Sequence, residues 1–557
     1  MEFFMPEIII STIQYGGYAS IIKLIVLIVL FLPLFPLLGW IFTDSQALEE
    51  RTNLWMGIIL GTAAAAMILW LVIPIYLVGM IFYIIAVAAT SLAYIKNRDS
   101  KVLEQEKILT ADFLKNLLSS SKTAEKKSKA DEEISFITSN KNEVPVPEAK
   151  TPDFYGYKTA LNLFKDAEHK RASNIIFLPT QNDYNVIYEI DGIAEKQQPI
   201  NKENMELFIK FTKSLADLDI NQKRKPQKGL FKIRKDKEST EWEVLTAGST
   251  AGEQMQIRQR MQQNLRKIDE LGFSNEQLEK IEALQKARYG IFIISGPRKS
   301  GLTTTLYALL RNHDAFINNI NTLELEIDAK LPNITQQTFS LSDTGTTTYP
   351  KKLAGLMRMG PDIVGVTNCK EPETAQIICD AALDNKLIYV IMEEDSVLKT
   401  LAQWIKLTGD MNTAIKPLIA VSNQRLVRKL CDQCKQAYTP EKEMLRKFNI
   451  PADKTKAFYR AGKVIYDKHG KPVTCEHCQG SGFVGRVAVF EFIALDNNMK
   501  KSLRGMKTIQ EVGRQFRNAR MLYLQEQMLR KVMAGLTSVN EMVRVLSKTK
   551  KENSQKK

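Results

Sequence analysis

Residues 296–303, Gly-Pro-Arg-Lys-Ser-Gly-Leu-Thr, have the spacing of a phosphate-binding loop, except that Leu302 replaces the lysine. In such a loop, backbone N–H groups hold the phosphates, the lysine reaches the β- and γ-phosphates, and the hydroxyl holds magnesium. Leucine can neither donate a hydrogen bond nor carry charge, so the group that would stabilise a transferring phosphoryl group is missing. The residues still expected to contact bound ATP or ADP are Gly296, Pro297, Ser300, Gly301, Thr303 and Thr304.

A second apolar run, Gly-Pro-Asp-Ile-Val-Gly-Val at residues 360–366, has the character of the second strand of a nucleotide site. That strand normally ends in a carboxylate, which orients magnesium or the attacking water. Here the run ends in Thr367-Asn368, and the Asn368 amide can hydrogen-bond but cannot act as a base or neutralise a metal ion. Neutral side chains therefore stand at two positions that hydrolysis requires to be charged.

Arg298 and Lys299 lie inside the loop and leave one route to activity open. Lys299, at the fourth position, could substitute for the missing lysine if it reached the phosphates. Side chains at that position usually face outward, and Lys299 would not replace the carboxylate that Asn368 lacks. We expect nucleotide binding without hydrolysis in preference to this relocated lysine, because backbone amides do most of the phosphate binding.

Four of the six cysteines form two Cys-x-x-Cys pairs, which predict a structural zinc site. The ligands would be Cys431, Cys434, Cys475 and Cys478. A redox-active pair is the alternative, although one Cys-x-x-Cys would suit that function better than two. His477 lies within the second pair, but four cysteines already complete a tetrahedral shell. The other two cysteines, expected in the core, are Cys369 and Cys379.

The length of 557 residues indicates several domains, and the apolar residues are concentrated in the first 95. Residues 21–42 carry one charge and are long enough to cross a bilayer core about 30 Å thick, so a transmembrane helix is predicted. A signal peptide is the alternative, but no small-residue cleavage site follows. Residues 54–95 are uncharged and too long for one straight span, and Pro74 divides them into Trp55–Ile73 and Ile75–Ile95. A single kinked span is the other interpretation.

Basic residues follow the last apolar run at once, at Lys96, Arg98 and Lys101. The positive-inside bias then places the rest of the chain in the cytoplasm and, with three spans, the N-terminus outside. The net charge of +15 and the pI of about 9.2 suit an anionic membrane surface or nucleic acid, and the apolar spans favour the membrane. The basic stretch at 221–237 is explained most simply as a solvated face or a subunit edge.

Helical segments alternate with short apolar strands between residues 265 and 430, which predicts a doubly wound parallel sheet. Ligands bind such sheets at the carboxyl ends of the strands, where the phosphate-binding loop follows Ser295. The predicted domains are a membrane anchor of two or three helices at 1–99, a charged linker at 100–150, a small α+β domain at 151–260, a nucleotide-binding core at 261–430, a tetracysteine module at 431–485, and a helical region with a basic tail at 486–557.

Together these motifs resemble the hexameric ATPases that drive type II secretion and type IV pilus assembly, over roughly residues 150–547. The similarity rests on Ala172-Ser173-Asn174-Ile175, Ile190-Asp191-Gly192, Leu218-Asp219-Ile220, the loop 296–303, the strand 360–366, Gln424–Cys431, Cys475–Arg486, Met521-Leu522 and Gly535-Leu536-Thr537. The resemblance implies a P-loop, RecA-like core behind the small α+β domain, a zinc-binding C-terminal region, and attachment to the inner membrane of a bacterium.

The departures from the family pattern fall on its catalytic positions. Besides Leu302 and Asn368, the acidic box keeps Glu324 but has Leu325 for its aspartate. Two histidines are replaced by Lys386 and Glu393, and arginines of the small domain are replaced by Ile187, Glu189, Leu230 and Glu243. Because one lost transition-state contact costs about 2.7 to 4 kcal/mol, several losses predict a pseudoenzyme.

We therefore expect a membrane-anchored structural or regulatory subunit of a secretion or pilus machine. The resemblance implies a homo-hexamer, or a mixed ring with an active relative, coupled to the inner-membrane platform protein. One alternative is a slow ATPase that uses Lys299, with magnesium on Thr303. A second is a basic nucleic-acid-binding module, but few aromatic residues interleave the lysines of 221–237, so stacking on single strands has little support and no nucleic acid is expected.

Overall fold

The computed structural model describes residues 21–47, 52–73, 75–99, 134–148, 151–235, 238–260, 265–340, 348–447, 457–462, 465–466, 472–506 and 508–555. The chain divides into two compact units, Met1–Asp131 and Glu132–Lys557. Pro74, Lys101 and most of the predicted linker lie outside the described residues.

The first unit consists of apolar helices, three stretches of which are long enough to cross a membrane. The helices are α1 (Ile21–Phe31), α2 (Leu34–Ala47), α3 (Thr52–Val72) and α4 (Tyr76–Asp99). The candidate spans are Ile25–Ser45, Thr52–Val72 and Tyr76–Asp99. The first predicted span is interrupted at Pro33, which has no N–H to donate within a helix. The region 54–95 forms two helices, so the single kinked span was the wrong interpretation.

Contacts around Trp70 and around Asp44 hold these helices together. Gly79 of α4 leaves room for Trp70 of α3, since a Cβ at Gly79 would lie 2.4 Å from the Trp70 ring. The Trp70 indole N–H donates to the Tyr76 carbonyl at 2.9 Å. Asp44 of α2 accepts hydrogen bonds from the Tyr94 hydroxyl at 2.8 Å and from Arg98 Nε at 3.0 Å. A buried carboxylate is thus paired, as burial of charge requires.

The second unit begins with a small module in which two helices cover an antiparallel sheet. The helices are α5 (Pro152–His169) and α6 (Lys202–Leu215). The strands are β1 (Ile134–Ile137), β2 (Ala172–Pro179), β3 (Asp183–Ile190), β4 (Ile193–Lys196), β5 (Ile200–Asn201), β6 (Gln227–Lys235), β7 (Glu238–Ser249) and β8 (Gly252–Gln259). The sheet order is β1-β6-β7-β8-β2-β3-β4, with β5 beside β3. Phe164 and Phe208 of the helices pack on Phe231 and Trp242 of the sheet.

The small module starts earlier than the sequence predicts. Strand β1 pairs with β6 in antiparallel register, and Phe136 within it is fully buried. Residues 134–148 therefore belong to this sheet and not to the linker that we predicted over 100–150. Four residues with two buried side chains give too short an alternation to separate from a charged linker.

The basic stretch at 221–237 supplies β6, and its charges have acidic neighbours. Arg234 pairs with Glu143 at 2.5 Å, and Lys232 lies 3.8 Å from Glu241. These pairs on partly exposed side chains agree with a solvated face.

The core domain predicted at 261–430 contains the doubly wound sheet that the sequence predicts. Its strands are β9 (Gly290–Ser295), β10 (Ile320–Glu324), β11 (Thr335–Thr338), β12 (Ile363–Val366), β13 (Leu387–Met392), β14 (Leu418–Leu430) and, at the far edge, β19 (Phe483–Ala494). The order is β11-β10-β12-β13-β9-β14-β19, parallel except for the antiparallel pair β14/β19.

Helices lie on both faces of this sheet, which is why its central strands are apolar throughout. The 3₁₀ helix Ile268–Leu271, α7 (Asn275–Gln285) and α8 (Leu302–Arg311) accompany one apolar cluster, which contains Phe292 and Ile294. The other cluster contains Ile291 and Ile293. Its helices are α9 (Tyr349–Arg358), α10 (Pro372–Leu383), α11 (Val397–Thr408), α12 (Met411–Ile415), α14 (Asn497–Arg504) and α15 (Ile509–Asn518). Cys369 and Cys379 are buried in the same cluster, as predicted.

The segment between β14 and β19 is a small cysteine-containing module. It comprises α13 (Lys442–Lys447) and the strands β15 (Gln436–Tyr438), β16 (Phe458–Arg460), β17 (Ile465–Tyr466) and β18 (Pro472–Val473). The chain then returns through β19 to α16 (Leu524–Met533) and α17 (Val539–Gln555). Met528 and Val532 of α16 and Met542 of α17 pack with Val427 and Val489 of the sheet edge.

Candidate functional site

The phosphate-binding loop joins β9 to α8 at the carboxyl edge of the sheet, where the sequence places it. Gly301 caps α8 with a φ of 88°, and Lys299 also has a positive φ, 61°. A Cβ at Gly296 would lie 2.4 Å from the Ser300 hydroxyl and 2.7 Å from the Gln424 carbonyl. The turn thus requires glycine at both ends. Among the described residues, the buried Ser300 hydroxyl has no hydrogen-bond partner, and it is available to an anion held by the loop.

Strand β14 holds this loop through Gln424, which is fully buried. The Gln424 amide donates to the Ser300 carbonyl at 2.9 Å and accepts from the Thr305 hydroxyl at 2.9 Å. At the start of the loop, the Ser295 hydroxyl donates to the Ser422 carbonyl and accepts from Asn423 and Thr400. These contacts fix the loop without any ligand.

Leu302, at the position of the missing lysine, packs into the protein. It is half-buried and lies against the apolar cluster that contains Phe292 and Leu306. Its side chain therefore contributes to the fold and presents no donor to a phosphate.

Lys299 and Arg298 point away from the loop. The Lys299 ammonium donates to Glu189 Oε2 of β3 at 2.9 Å, and its side chain is 72% exposed. Asn174 donates to the same Glu189 oxygen at 3.1 Å. Burial would raise the pKa of Glu189, but the hydrogen bonds from Lys299 and Asn174 outweigh burial and lower it. The only lysine of the loop is therefore paired with a carboxylate of the small module.

The two positions of the replaced histidines are far apart. Glu393 follows β13 at the loop edge and accepts a hydrogen bond from Arg298 at 3.2 Å. Lys386 precedes β13 at the opposite edge of the sheet and pairs with Asp384 at 2.6 Å. Of these two predicted positions, the structure brings only Glu393 to the loop.

Glu324, the retained acidic residue, is fully buried at the end of β10, and its donors among the described residues are neutral. The Tyr307 hydroxyl donates to it at 2.5 Å, the Thr322 hydroxyl at 2.6 Å and the Gln336 amide at 3.0 Å. Burial, followed by the hydrogen bond to Glu324, raises the pKa of Tyr307. The carboxylate is thus a structural link between α8, β10 and β11.

The Asn368 position lies just beyond β12. Its backbone N–H donates to the Tyr349 hydroxyl at 3.3 Å, and the neighbouring Thr367 hydroxyl donates to the Leu323 carbonyl at 3.3 Å. The strand therefore ends at Val366, where the sequence predicts the apolar run to end, with an amide at the position where a carboxylate would serve hydrolysis.

Asp328 is a potential site residue that the sequence analysis did not identify. With Thr303, Thr304 and Tyr307 it lines a small pocket of about 30 Å³ beside the start of α8. Burial, reinforced by the charge of Glu326, raises the pKa of Asp328. Its only sequence signal was a carboxylate four residues after Glu324, and the fold was needed to place it beside the loop threonines.

The small module contacts the core through a second ion-pair group. Glu243, fully buried, pairs with Lys228 at 3.0 Å and with Arg258. Lys228 and Arg258 also each reach Glu326 of the core at 2.7 Å. The negative charge of Glu243 is therefore balanced by basic residues of its own sheet and is not left unpaired to repel a phosphate. Sequence reasoning missed Arg258 because nothing in the pattern distinguishes it from other surface arginines.

The four predicted zinc ligands come together as one cluster. The thiol sulfurs of Cys431, Cys434, Cys475 and Cys478 all lie within 4.8 Å of one another. The two measured pairs are 3.9 Å for Cys431–Cys475 and 3.6 Å for Cys434–Cys478. Tetrahedral zinc with Zn–S bonds of about 2.3 Å separates its sulfurs by about 3.8 Å, so the donor set fits the metal.

The surroundings of the cluster act on its thiols in different directions, because burial raises the pKa of Cys431 and of Cys434. The backbone N–H groups of Cys478 and His477 lower the pKa of Cys475 to about 7. The Gly482 N–H donates to Cys478 Sγ at 3.3 Å. His477 is bound through its carbonyl oxygen, which accepts from Arg171 of the small module at 2.6 Å. This arrangement resembles a closed site with no position left for a substrate.

Comparison with known proteins agrees with this architecture. Residues 156–544 match the sequence profile of the family described as "Type II/IV secretion system protein". The chain is 27% identical over 402 residues to the type IV pilus assembly ATPase PilB of Thermus thermophilus, which covers 72% of this chain and 44% of that protein. It is 28% identical over 384 residues to type II secretion system protein E of Dickeya dadantii, with coverages of 69% and 74%.

The chain therefore spans less than half of the Thermus relative but about three quarters of the Dickeya one. Among solved structures, the Legionella pneumophila ATPase DotB superposes with a TM-score of 0.51 at 14% identity, over 72% of this chain and 98% of DotB. That likeness supports the mixed α/β ATPase fold alone. On the family match over most of its length, the chain belongs to the Type II/IV secretion system protein family.

Proposed function

We propose that this chain is a membrane-anchored secretion-ATPase homologue that does not hydrolyse ATP and acts as a structural or regulatory subunit. The observation that carries the proposal is the state of the phosphate-binding loop. Leu302 packs into the core, and Lys299 donates to Glu189 at 2.9 Å. With Asn368 at the end of β12, neutral side chains occupy both the position of the phosphate-binding lysine and that of the carboxylate that would orient the attacking water.

Nucleotide binding and nucleotide hydrolysis make different demands on this site. Backbone N–H groups of the turn and the Ser300 hydroxyl suit an ATP or ADP phosphate, and the Thr303 hydroxyl suits its magnesium. Bound nucleotide would supply a transferable phosphoryl group, but the residues around it would bind and orient without moving a proton. Each missing transition-state contact costs about 2.7 to 4 kcal/mol, so turnover is expected to be negligible.

The helices of the first unit suit a position in a bacterial inner membrane. Three stretches have the length and composition to cross it, and the positive charges after the third favour a cytoplasmic location for residues 132–557. Named relatives drive pilus assembly and type II secretion. We infer a ring of six, of this chain alone or mixed with an active relative, attached to the platform protein of such a machine.

The cysteine cluster would hold zinc through Cys431, Cys434, Cys475 and Cys478. When bound, zinc would crosslink the two loops that carry these pairs, which is structural chemistry. The fit of four sulfurs to a tetrahedral ion supports zinc over a redox role. A nucleic-acid-binding function has no comparable support, because the basic strand β6 is already paired with carboxylates.

The proposal is tested by measuring phosphate release by the full chain in a neutral detergent, with magnesium and ATP. We expect no release above the background given by a sample without protein. Phosphate release that is abolished by Lys299→Ala would contradict the proposal and establish the slow ATPase instead. A matched variant, Lys406→Ala on α11, controls for loss of one surface lysine.

A further inference from the structure

A cleft of about 370 Å³ lies where β14, β16 and β19 meet the start of α17. The charged residues that line the cleft are three arginines and one glutamate. The neutral residues Ser538 and Asn540, at the start of α17, also line it. The arginines are Arg428, Arg460 and Arg544. This volume falls within the range of about 300–1,000 Å³ that small-molecule sites occupy.

The glutamate, Glu541, is fully buried beneath the arginines and is already satisfied by them. Arg428 donates to it from its backbone N–H at 3.0 Å, from Nε at 3.1 Å and from Nη2 at 3.0 Å. Arg544 donates to it from Nε at 2.8 Å and from Nη2 at 2.5 Å. Glu541 therefore neutralises one of the three positive charges, and the cleft keeps a net charge of about +2.

Each of the two paired arginines has donors left over. A guanidinium has five N–H groups, and both side chains give Glu541 only the Nε and Nη2 nitrogens. Within the described part of the chain, neither Nη1 group has a hydrogen-bond partner. Packing fixes Arg428, whose guanidinium carbon lies 3.9 Å from the centre of the Phe483 ring.

Arg460 completes the positive lining from a separate strand. Its side chain is exposed, and its guanidinium carbon lies 5.6 Å from the centre of the Tyr438 ring. Among the described residues it has no carboxylate partner. The start of α17, a helix of 17 residues, adds the partial positive charge of a helix N-terminus beside Ser538 and Asn540.

We propose that this cleft is a binding site for a phosphate-bearing ligand. A phosphate group carries a charge of about −1.5 to −2 at neutral pH, which matches the surplus of the cleft, and it accepts paired hydrogen bonds from guanidinium groups. The Glu541 carboxylate already occupies the floor of the site, so the ligand would approach the remaining guanidinium donors from the solvent side. This site is separate from the phosphate-binding loop and does not depend on the proposed function.

The position of the cleft suggests a consequence of binding. Arg428 lies on β14 between Gln424, which holds the phosphate-binding loop, and Cys431, which belongs to the cysteine cluster. A ligand that binds both Arg428 and Arg460 would join β16 to β14, the strand that supports both regions.

The test is a calorimetric titration of the full chain in neutral detergent with inorganic pyrophosphate. We expect binding that weakens at least tenfold in Arg460→Gln, an exposed position whose replacement should not disturb folding. Arg544→Lys, which keeps a charge beside Glu541 but loses the fork of donors, should weaken binding as well. The matched control is Arg504→Gln on α14, which should bind like the parent.

A second arm distinguishes a soluble ligand from a lipid headgroup. The same proteins are titrated with detergent micelles that contain phosphatidylglycerol or, for comparison, phosphatidylcholine. Arg460-dependent binding of pyrophosphate supports a soluble ligand, and Arg460-dependent binding of phosphatidylglycerol alone supports a headgroup. If neither probe binds, or if Arg460→Gln binds both as the parent does, the proposal is overturned.

Discussion

The phosphate-binding loop and the cysteine cluster are both supported by β14, yet they differ in what remains of their chemistry. At the cluster, all four ligands are present and their sulfurs lie within 4.8 Å of one another. At the loop, the glycines and the supporting Gln424 are present, but Leu302 packs into the core and Lys299 faces Glu189. The residues that shape both regions are present, whereas two positions predicted to act on a transferring phosphoryl group hold Leu302 and Asn368.

This difference shows that the residues that maintain a fold can be distinct from the residues that carry out a reaction. The loop keeps its shape through backbone geometry and neutral hydrogen bonds, which need no ligand charge. At the cluster, shape and chemistry would depend on the same groups, because a metal held by the four cysteines would also be the structural crosslink. We expect the two regions to respond in opposite ways to substitution.

The largest effect is expected at the cluster. Cys478→Ser removes a buried ligand and should abolish zinc binding, since structural zinc contributes about 10–16 kcal/mol in zinc-finger peptides. Metal analysis of the purified full chain should show near-complete loss of zinc, and limited proteolysis should cut within the module. His477→Ala is the matched control and should retain its zinc. Full zinc content in Cys478→Ser would show that the thiols are not the ligands.

A smaller effect is expected where the loop meets the small module. Lys299→Ala removes the pair with Glu189, and because Lys299 is 72% exposed we expect a loss of only about 0–1 kcal/mol at neutral pH. The lowered pKa of Glu189 means that the folded state stabilises the charged form. This contribution is present above the usual carboxyl pKa of about 4.5 and is lost as the pH falls through the lower folded value.

Denaturation midpoints of parent and variant should therefore differ at pH 7 and converge as the pH falls below about 4. Lys406→Ala, on an exposed part of α11, should follow the parent at every pH. A difference between parent and Lys299→Ala that grows on acidification would have the wrong sign for this ion pair.

The sequence predicted the elements that carry chemistry better than their surroundings. The loop after β9, the strand 363–366 and the four cysteines lie where their spacing placed them, because each depends on local geometry or on a fixed ligand count. Strand β1 was missed, since its partner β6 is about ninety residues away and four residues give little periodicity. The division of the apolar region into separate helices was predictable from its length, whereas the break at Pro33 was not considered.

Side-chain partners across domains were the least predictable part of the site. The pairing of Lys299 with Glu189 joins residues far apart in sequence, and only their meeting in the fold shows that the lysine faces outward. The same holds for Asp328 beside Thr303 and for Arg258 between Glu243 and Glu326. The sequence shows which residue type lies at each position, whereas contacts between separate elements depend on how the chain folds.

The measurement that tests the account most directly is a calorimetric titration with ATP and magnesium of the full chain and of the double variant Leu302→Lys/Asn368→Glu. We predict that the variant binds at least tenfold more tightly than the parent, because it regains the ammonium and the carboxylate that a working site uses. Equal affinity in the two proteins, or tight binding by the parent that Lys299→Ala abolishes, would contradict the claim that these two positions silence the site.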